Sequence, residues 1–260
     1  MAAFAQSTLY RLRRINRQLV CLLARRFQKC AWLIPAERPI RSIDLRCNET
    51  RVESLLIFLP GIGDLPEDYE LNGFIESVRH REISTDLMVA DLHFGYYLTR
   101  IAVECLRDDI ILPAQDFGYK HISLVGISLG GFGALYYAMH HPEDISIIFL
   151  LAPYLGDSGI IAEIVNAGGP RTWNSEEAMD SDYERKLWQW LKQYHQERRF
   201  PALYLGYGQQ DIFATAHEQL AELLPKERVY AVNGRHDWHT WKRLWNTFLT
   251  EADTNCFRPV

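Results

Sequence analysis

Cysteine is scarce in this chain and unpaired in pattern. Cys21, Cys30, Cys47, Cys105 and Cys256 are odd in number and lack CxxC spacing, which argues against a disulfide framework and a zinc cluster and fits thiols in a reducing compartment. No HExxH occurs, and Asp91 with His93 is too small a set of ligands for a metal-dependent hydrolase. Long apolar runs are also missing. The longest near the start, Leu19–Ala24, is far short of the roughly 20 residues that a membrane span requires. A net charge of −5 offers no general basic surface, so nucleic acid is not an expected partner. Acidic residues are wholly absent from the first 36 positions, which carry Arg11, Arg13, Arg14, Arg17, Arg25, Arg26 and Lys29.

In that basic stretch Leu9, Leu12, Ile15, Leu19, Leu22 or Leu23, and Phe27 recur at three- and four-residue spacing, with arginines on the opposite side. The pattern predicts an amphipathic helix, suited either to an anionic membrane surface or to packing on the domain. Residues 1–40 are therefore read as a basic amphipathic segment, of which 1–36 are expected to be dispensable for catalysis, and 41–260 as one domain. A small-residue cleavage site after a long apolar core is absent, so this is not a conventional secretory signal. The expected location is the cytoplasm, with peripheral membrane contact through the N-terminal segment.

From about residue 52, short apolar runs alternate with longer amphipathic stretches, the layout of an α/β, mostly parallel, doubly wound sheet. Strands are predicted at 53–59, 86–92, 121–127, 145–152, 201–206 and 227–232. Crossover helices are predicted at 67–80, 97–116, 129–140, 214–224 and 239–251. Residues 155–198 break the rhythm with Gly168-Gly169-Pro170 and a tryptophan-rich helix containing Trp188 and Trp190, and read as an inserted cap.

Gly126-Ile127-Ser128-Leu129-Gly130 lies between a predicted strand and a predicted helix, as a nucleophile elbow does. Such a turn is sharp, and glycines two residues either side relieve collisions with neighbouring backbone. The Leu129 amide, at a helix N-terminus, then faces the position where a carbonyl oxygen becomes negative. Leu59-Pro60-Gly61-Ile62-Gly63-Asp64 follows the first strong strand and reads as the loop supplying a second oxyanion donor, the Ile62 amide. A base titrating near neutrality points to histidine. His236, in the loop beyond the last strand, is preferred over His239, which belongs to the next helix. Asp211, after the penultimate strand, is the expected orienting acid, with Asp157 as runner-up.

Gly126–Gly131, Ala134-Leu135 and His141-Pro142-Glu143, together with Gly234-x-His236-Asp237-Trp238-x-x-Trp241, resemble the motifs of esterase-type α/β-hydrolases. That family includes esterase D, feruloyl esterases and the antigen 85 mycolyltransferases. The resemblance spans residues 52–245 and implies the α/β-hydrolase fold, with Ser128 as nucleophile, His236 as base and Asp211 as acid. The expected reaction is hydrolysis of a small-molecule ester or thioester through an acyl-enzyme, without cofactor or metal. An acyltransferase using the same intermediate and a catalytically silent interaction protein on the same scaffold are the alternatives. Aromatic residues around 154–204 are candidates both for an acyl pocket and for plain core.

Overall fold

The computed structural model describes residues 2–26, 33–46, 52–175, 179, 182–197 and 201–251. Its elements run α1 (Ala2–Arg26), β1 (Ser42–Leu45), β2 (Ser54–Leu59), α2 (Glu67–Leu71), α3 (Phe74–Arg79), β3 (Asp86–Ala90), α4 (Phe94–Leu98) and α5 (Ala102–Leu106). A π-helical turn (Arg107–Ile111) joins α5 to α6 (Leu112–Phe117). There follow β4 (His121–Ile127), α7 (Leu129–His140), β5 (Ile147–Leu151), α8 (Ser158–Asn166), α9 (Tyr183–Glu197), β6 (Ala202–Gly208), α10 (Ala214–Ala221), β7 (Val229–Val232) and α11 (Trp238–Glu251). Cys30, Cys47, Cys256 and Phe27 lie outside the described residues. Among the described residues no helix is long and apolar enough to cross a membrane.

The strands form one sheet in the order β1-β3-β2-β4-β5-β6-β7, parallel except for β1, which runs antiparallel to β3 at the edge. The central strands β2, β4 and β5 read as nearly continuous apolar runs because both faces are covered. Leu55, Ile57 and Leu59 of β2 enter one core with α7, while Leu56 and Phe58 enter the other with α3 and α11. All six predicted strands form. β1 was not predicted, and its SIDL sequence shows why: four half-exposed residues pair on one side only.

Two predicted helices are interrupted. The stretch 67–80 breaks at Gly73, whose φ of 74° ends α2 and starts α3. The stretch 97–116 starts earlier and breaks at Arg100, where φ is 63°. Arg100 N–H bonds Tyr97 O and Ile101 N–H bonds Tyr96 O, the paired bonds by which a left-handed residue closes a helix end.

The topology positions the site. The chain moves outward from β2 to β3, then crosses back to place β4 on the other side of β2, so the strand order reverses between β2 and β4. Ligands in open α/β sheets sit at the C-terminal edge of that reversal. Because Leu59 is in register with Gly126, the loop after β2 and the turn after β4 leave the sheet side by side.

α1 docks through its polar side. Arg17 makes a bidentate pair with Asp91, at 2.9 and 3.1 Å. Arg14 lies 3.4 Å from the buried carboxylate of Asp68, to which the Tyr10 hydroxyl also donates. Cys21 is buried, and with Ile34 it packs against Val20, Ile62, Phe94 and Leu98.

Candidate active site

Ser128 adopts φ 50° and ψ −112°, a conformation that costs a non-glycine residue on the order of 1–3 kcal/mol and persists only where its surroundings enforce it. They do so through backbone bonds. Ser128 N–H donates to Leu151 O at 3.0 Å, and Ser128 O accepts from Tyr154 N–H at 2.9 Å as well as from the first turn of α7. The flanking glycines are required by contact. A Cβ on Gly126 would lie 2.5 Å from Gly130 O, and one on Gly130 would lie 2.0 Å from Leu59 O.

His236 Nε2 is 3.0 Å from Ser128 Oγ, and His236 Nδ1 is 2.8 Å from Asp211 Oδ2. A carboxylate only accepts, so Nδ1 carries the proton and Nε2 is left to accept from the serine hydroxyl. The Asp211 side chain is inaccessible to solvent, and its second oxygen accepts from Phe213 N–H at 2.8 Å. Rings hold the imidazole from two sides: Trp241 and Phe213 meet it edge-on, at centroid distances of 5.0 and 5.3 Å. Downstream, Asp237 accepts from Thr240 N–H at 2.8 Å and starts α11, which holds its carboxyl below the usual range. Next to it, Thr240 Oγ1 accepts from Arg235 N–H at 3.0 Å, so the loop is bonded immediately before and after the histidine.

The structure thus brings together Ser128, His236 and Asp211, while His239 lies exposed in the first turn of α11. Asp157 caps α8, accepting from Gly159 and Ile160 amides at 2.7 and 3.1 Å. Asp91 pairs with Arg17 and Arg41. His93 caps α4, and burial lowers its pKa to about 4. Among the described residues no group of three or more His, Cys, Asp or Glu could hold a metal ion.

Ile62 and Leu129 both border the cleft that reaches Ser128 and His236. The Leu129 amide stands at the start of α7, where helix amides lack intrahelical acceptors. The Ile62 loop is a tight turn closed by Asp64 N–H on Gly61 O at 3.2 Å, with φ 79° at Gly63. The cleft measures ≈ 1460 Å³ and is walled chiefly by Phe94, Tyr97, Leu98, Phe132, Tyr136, Tyr154, Ile161, Val165 and Phe213. The aromatic residues around 154–204 divide. Tyr154 and Tyr183 line the cleft, whereas Trp173 and Trp188 are buried core.

Two titratable groups at the site carried no mark in the sequence. Asp64 is buried behind the loop, and burial, reinforced by the nearby Asp68, raises its pKa to about 7; Trp238 supplies a hydrogen bond. His217, in α10, is wholly buried with Nε2 2.9 Å from Pro153 O, and burial lowers its pKa to about 4. Neither a loop aspartate nor a helical histidine signals burial by itself; only the packing does.

A family model described as "Putative esterase" matches residues 113–252, more than half of the chain. The chain belongs to this esterase family. Solved structures of the same fold include S-formylglutathione hydrolase from Staphylococcus aureus, with 14% identity over 83% of this chain and 96% of that one, at a TM-score of 0.53. Est1E from Butyrivibrio proteoclasticus shares 15% identity over 81% and 98%, at 0.52. A ferulic acid esterase shares 13% over 84% and 97%, at 0.56. No curated protein matches the chain. The esterase family and the mostly parallel seven-stranded sheet agree with the expected α/β-hydrolase fold and with an esterase.

Proposed function

We propose that the chain hydrolyses carboxylic esters or thioesters by two-step acyl transfer, with Ser128, His236 and Asp211 as its triad. The observation that carries this is the unbroken hydrogen-bonded series from Ser128 Oγ through the imidazole to a buried carboxylate. Ser128 Oγ attacks the carbonyl carbon as His236 Nε2 takes its proton, and Asp211 stabilises the imidazolium that forms. Amides of Ile62 and Leu129 receive the oxyanion. Collapse releases the alcohol or thiol, which leaves with the proton from His236. Water, deprotonated by the same nitrogen, then attacks the acyl-Ser128 ester, and the acid departs as Oγ regains its proton.

Residues 155–198 act as a cap, and the cleft wall formed by Ile161, Val165 and Tyr183 supports that division of the domain. The apolar, aromatic lining suits an acyl or aryl group, with the polar leaving group toward solvent. A fluorophosphonate probe tests the reading. It should label wild-type protein at Ser128, fail on Ser128→Ala, and react far more slowly with His236→Ala than with His239→Ala. Folded wild-type protein that neither takes up the probe nor hydrolyses any activated ester would refute it.

A further inference from the structure

A surface helix with an apolar stripe ordinarily turns that stripe toward the core. α1 does the reverse. Its inward positions are Tyr10, Arg14, Arg17 and Cys21, spaced four, three and four residues apart. On a helical wheel Leu9, Leu12, Ile15, Leu19, Leu22 and Leu23 share an arc of about 140°, centred opposite the docked side. Each of the six is between 47% and 61% exposed. Arg11 and Arg13 stand exposed at the two edges of the arc, and neither makes an ion pair with a described residue.

A row of exposed leucines and one isoleucine, shared on its arc only with the polar Thr8 and Asn16 among the residues whose side chains are described, marks a contact surface, and the edges select what it contacts. The helix carries no acidic residue, so a second copy laid along the stripe would set arginine edge against arginine edge with nothing to neutralise them. An anionic phospholipid surface satisfies both parts, taking the leucines among its acyl chains and the arginines among its headgroups. We propose that α1 is an interfacial anchor which holds the domain on anionic membranes, its leucine stripe in the lipid and its inner side bound to Asp68 and Asp91.

This placement bears on the substrate. Ile62, Phe94 and Leu98 line the cleft and pack, as Val20 does, against the cluster of Cys21 and Ile34. The wall of the cleft is therefore separated from lipid by one helix, about 10 Å across. The substrate class that follows is an amphiphilic acyl ester taken from the bilayer, a clause that rests on the hydrolase reading above.

Sedimentation of the full chain with vesicles tests the anchor, in a Ser128→Ala background so that turnover plays no part. Vesicles of phosphatidylcholine mixed with phosphatidylglycerol should be bound, and pure phosphatidylcholine only weakly. Leu12→Ser/Leu19→Ser should weaken binding on the order of 10²-fold and Arg11→Gln/Arg13→Gln about 30-fold, with unchanged circular dichroism. High salt should reproduce the arginine effect. Equal binding by the leucine pair variant, or equal binding to both vesicle types, would overturn the proposal. So would a dimer in sedimentation equilibrium that the leucine pair variant dissolves while vesicles go unbound. With Ser128 restored, the leucine pair variant should turn over a water-soluble activated ester normally and lose turnover of an acyl ester presented in anionic vesicles. If vesicles bind but neither ester is cleaved, the anchor stands and the substrate clause falls with the hydrolase reading.

Discussion

Replacing Asp64 with asparagine isolates the effect on stability of a buried carboxyl at the Gly61–Asp64 loop. The side chain lies behind the Gly61–Asp64 turn, 9% exposed. It is near Asp68, Arg14, Trp238 and His236. Burial and the Asp68 charge raise its pKa from 3.8 to about 7, against the smaller opposing effects of Arg14, Trp238 and His236. The folded protein therefore holds this proton more tightly than the unfolded chain. Stability from that difference is fully present below the unfolded value of 3.8 and is lost as pH rises to about 7. About three pKa units correspond to roughly 4 kcal/mol as a ceiling, of which about 3 kcal/mol disappears between pH 5 and pH 8. Asparagine has nearly the same shape and does not ionise, so Asp64→Asn removes this decline and keeps all others. Urea unfolding followed by tryptophan fluorescence at a series of pH values measures it. The gap between variant and wild type should shift in favour of the variant by up to about 3 kcal/mol from pH 5 to pH 8. Parallel curves would refute the reasoning, since a carboxyl that ionises alike in both states contributes no pH dependence.

Asp211→Asn should fold and lose on the order of 10⁴ in kcat, because an amide facing Nδ1 no longer selects the right tautomer; Asp157→Asn, whose amide oxygen can still accept from the Gly159 and Ile160 amides, should leave unfolding within a few tenths of a kcal/mol and turnover little changed. Gly130→Ala should abolish probe labelling, because its Cβ would sit 2.0 Å from Leu59 O and must drive α7 and the oxyanion loop apart; normal labelling would show that the elbow tolerates the shift. Deleting residues 1–26 should reduce turnover of a soluble ester several-fold, contrary to the expectation that the segment is dispensable, since Ile62 packs against the cluster that Cys21 forms with Ile34 and Gln18 lies against the Gly63 turn. Equal kcat/KM for the truncated and full chains would return α1 to a purely external role.

What could be read from the sequence, and what could not, follows the range of the interactions concerned. The central parallel strands were legible because a strand covered on both faces must be apolar throughout, as Leu55–Leu59 and Ile147–Leu151 are. The elbow was legible because the two glycines answer collisions with backbone that any residue would meet there. Ser128, His236 and Asp211 were reached through chain order, since each lies just beyond the C-terminal end of its own strand. Asp64 reads in the sequence as one residue of a loop; its burial, and the arrival of Asp68 and Trp238 beside it, come from tertiary packing that no local pattern records.

α1 marks the limit most sharply. Its amphipathic period was plain, and periodicity carries the angle between the two faces without saying which face meets the domain. That choice is made by Asp68 and Asp91, 58 and 74 residues from Tyr10 and Arg17. Without α1, among the described residues, Asp91 would keep only Arg41 at 3.5 Å and Asp68 only the Leu65 amide at 2.8 Å; a buried carboxylate short of partners carries a desolvation cost, and α1 brings the hydroxyl and arginines that complete them. The leucines could have turned inward only by leaving those carboxylates to find other partners. Acid placement on the domain thus determines the outward direction of an apolar stripe on a distant helix, and an apolar stripe held outward in this way is available to lipid.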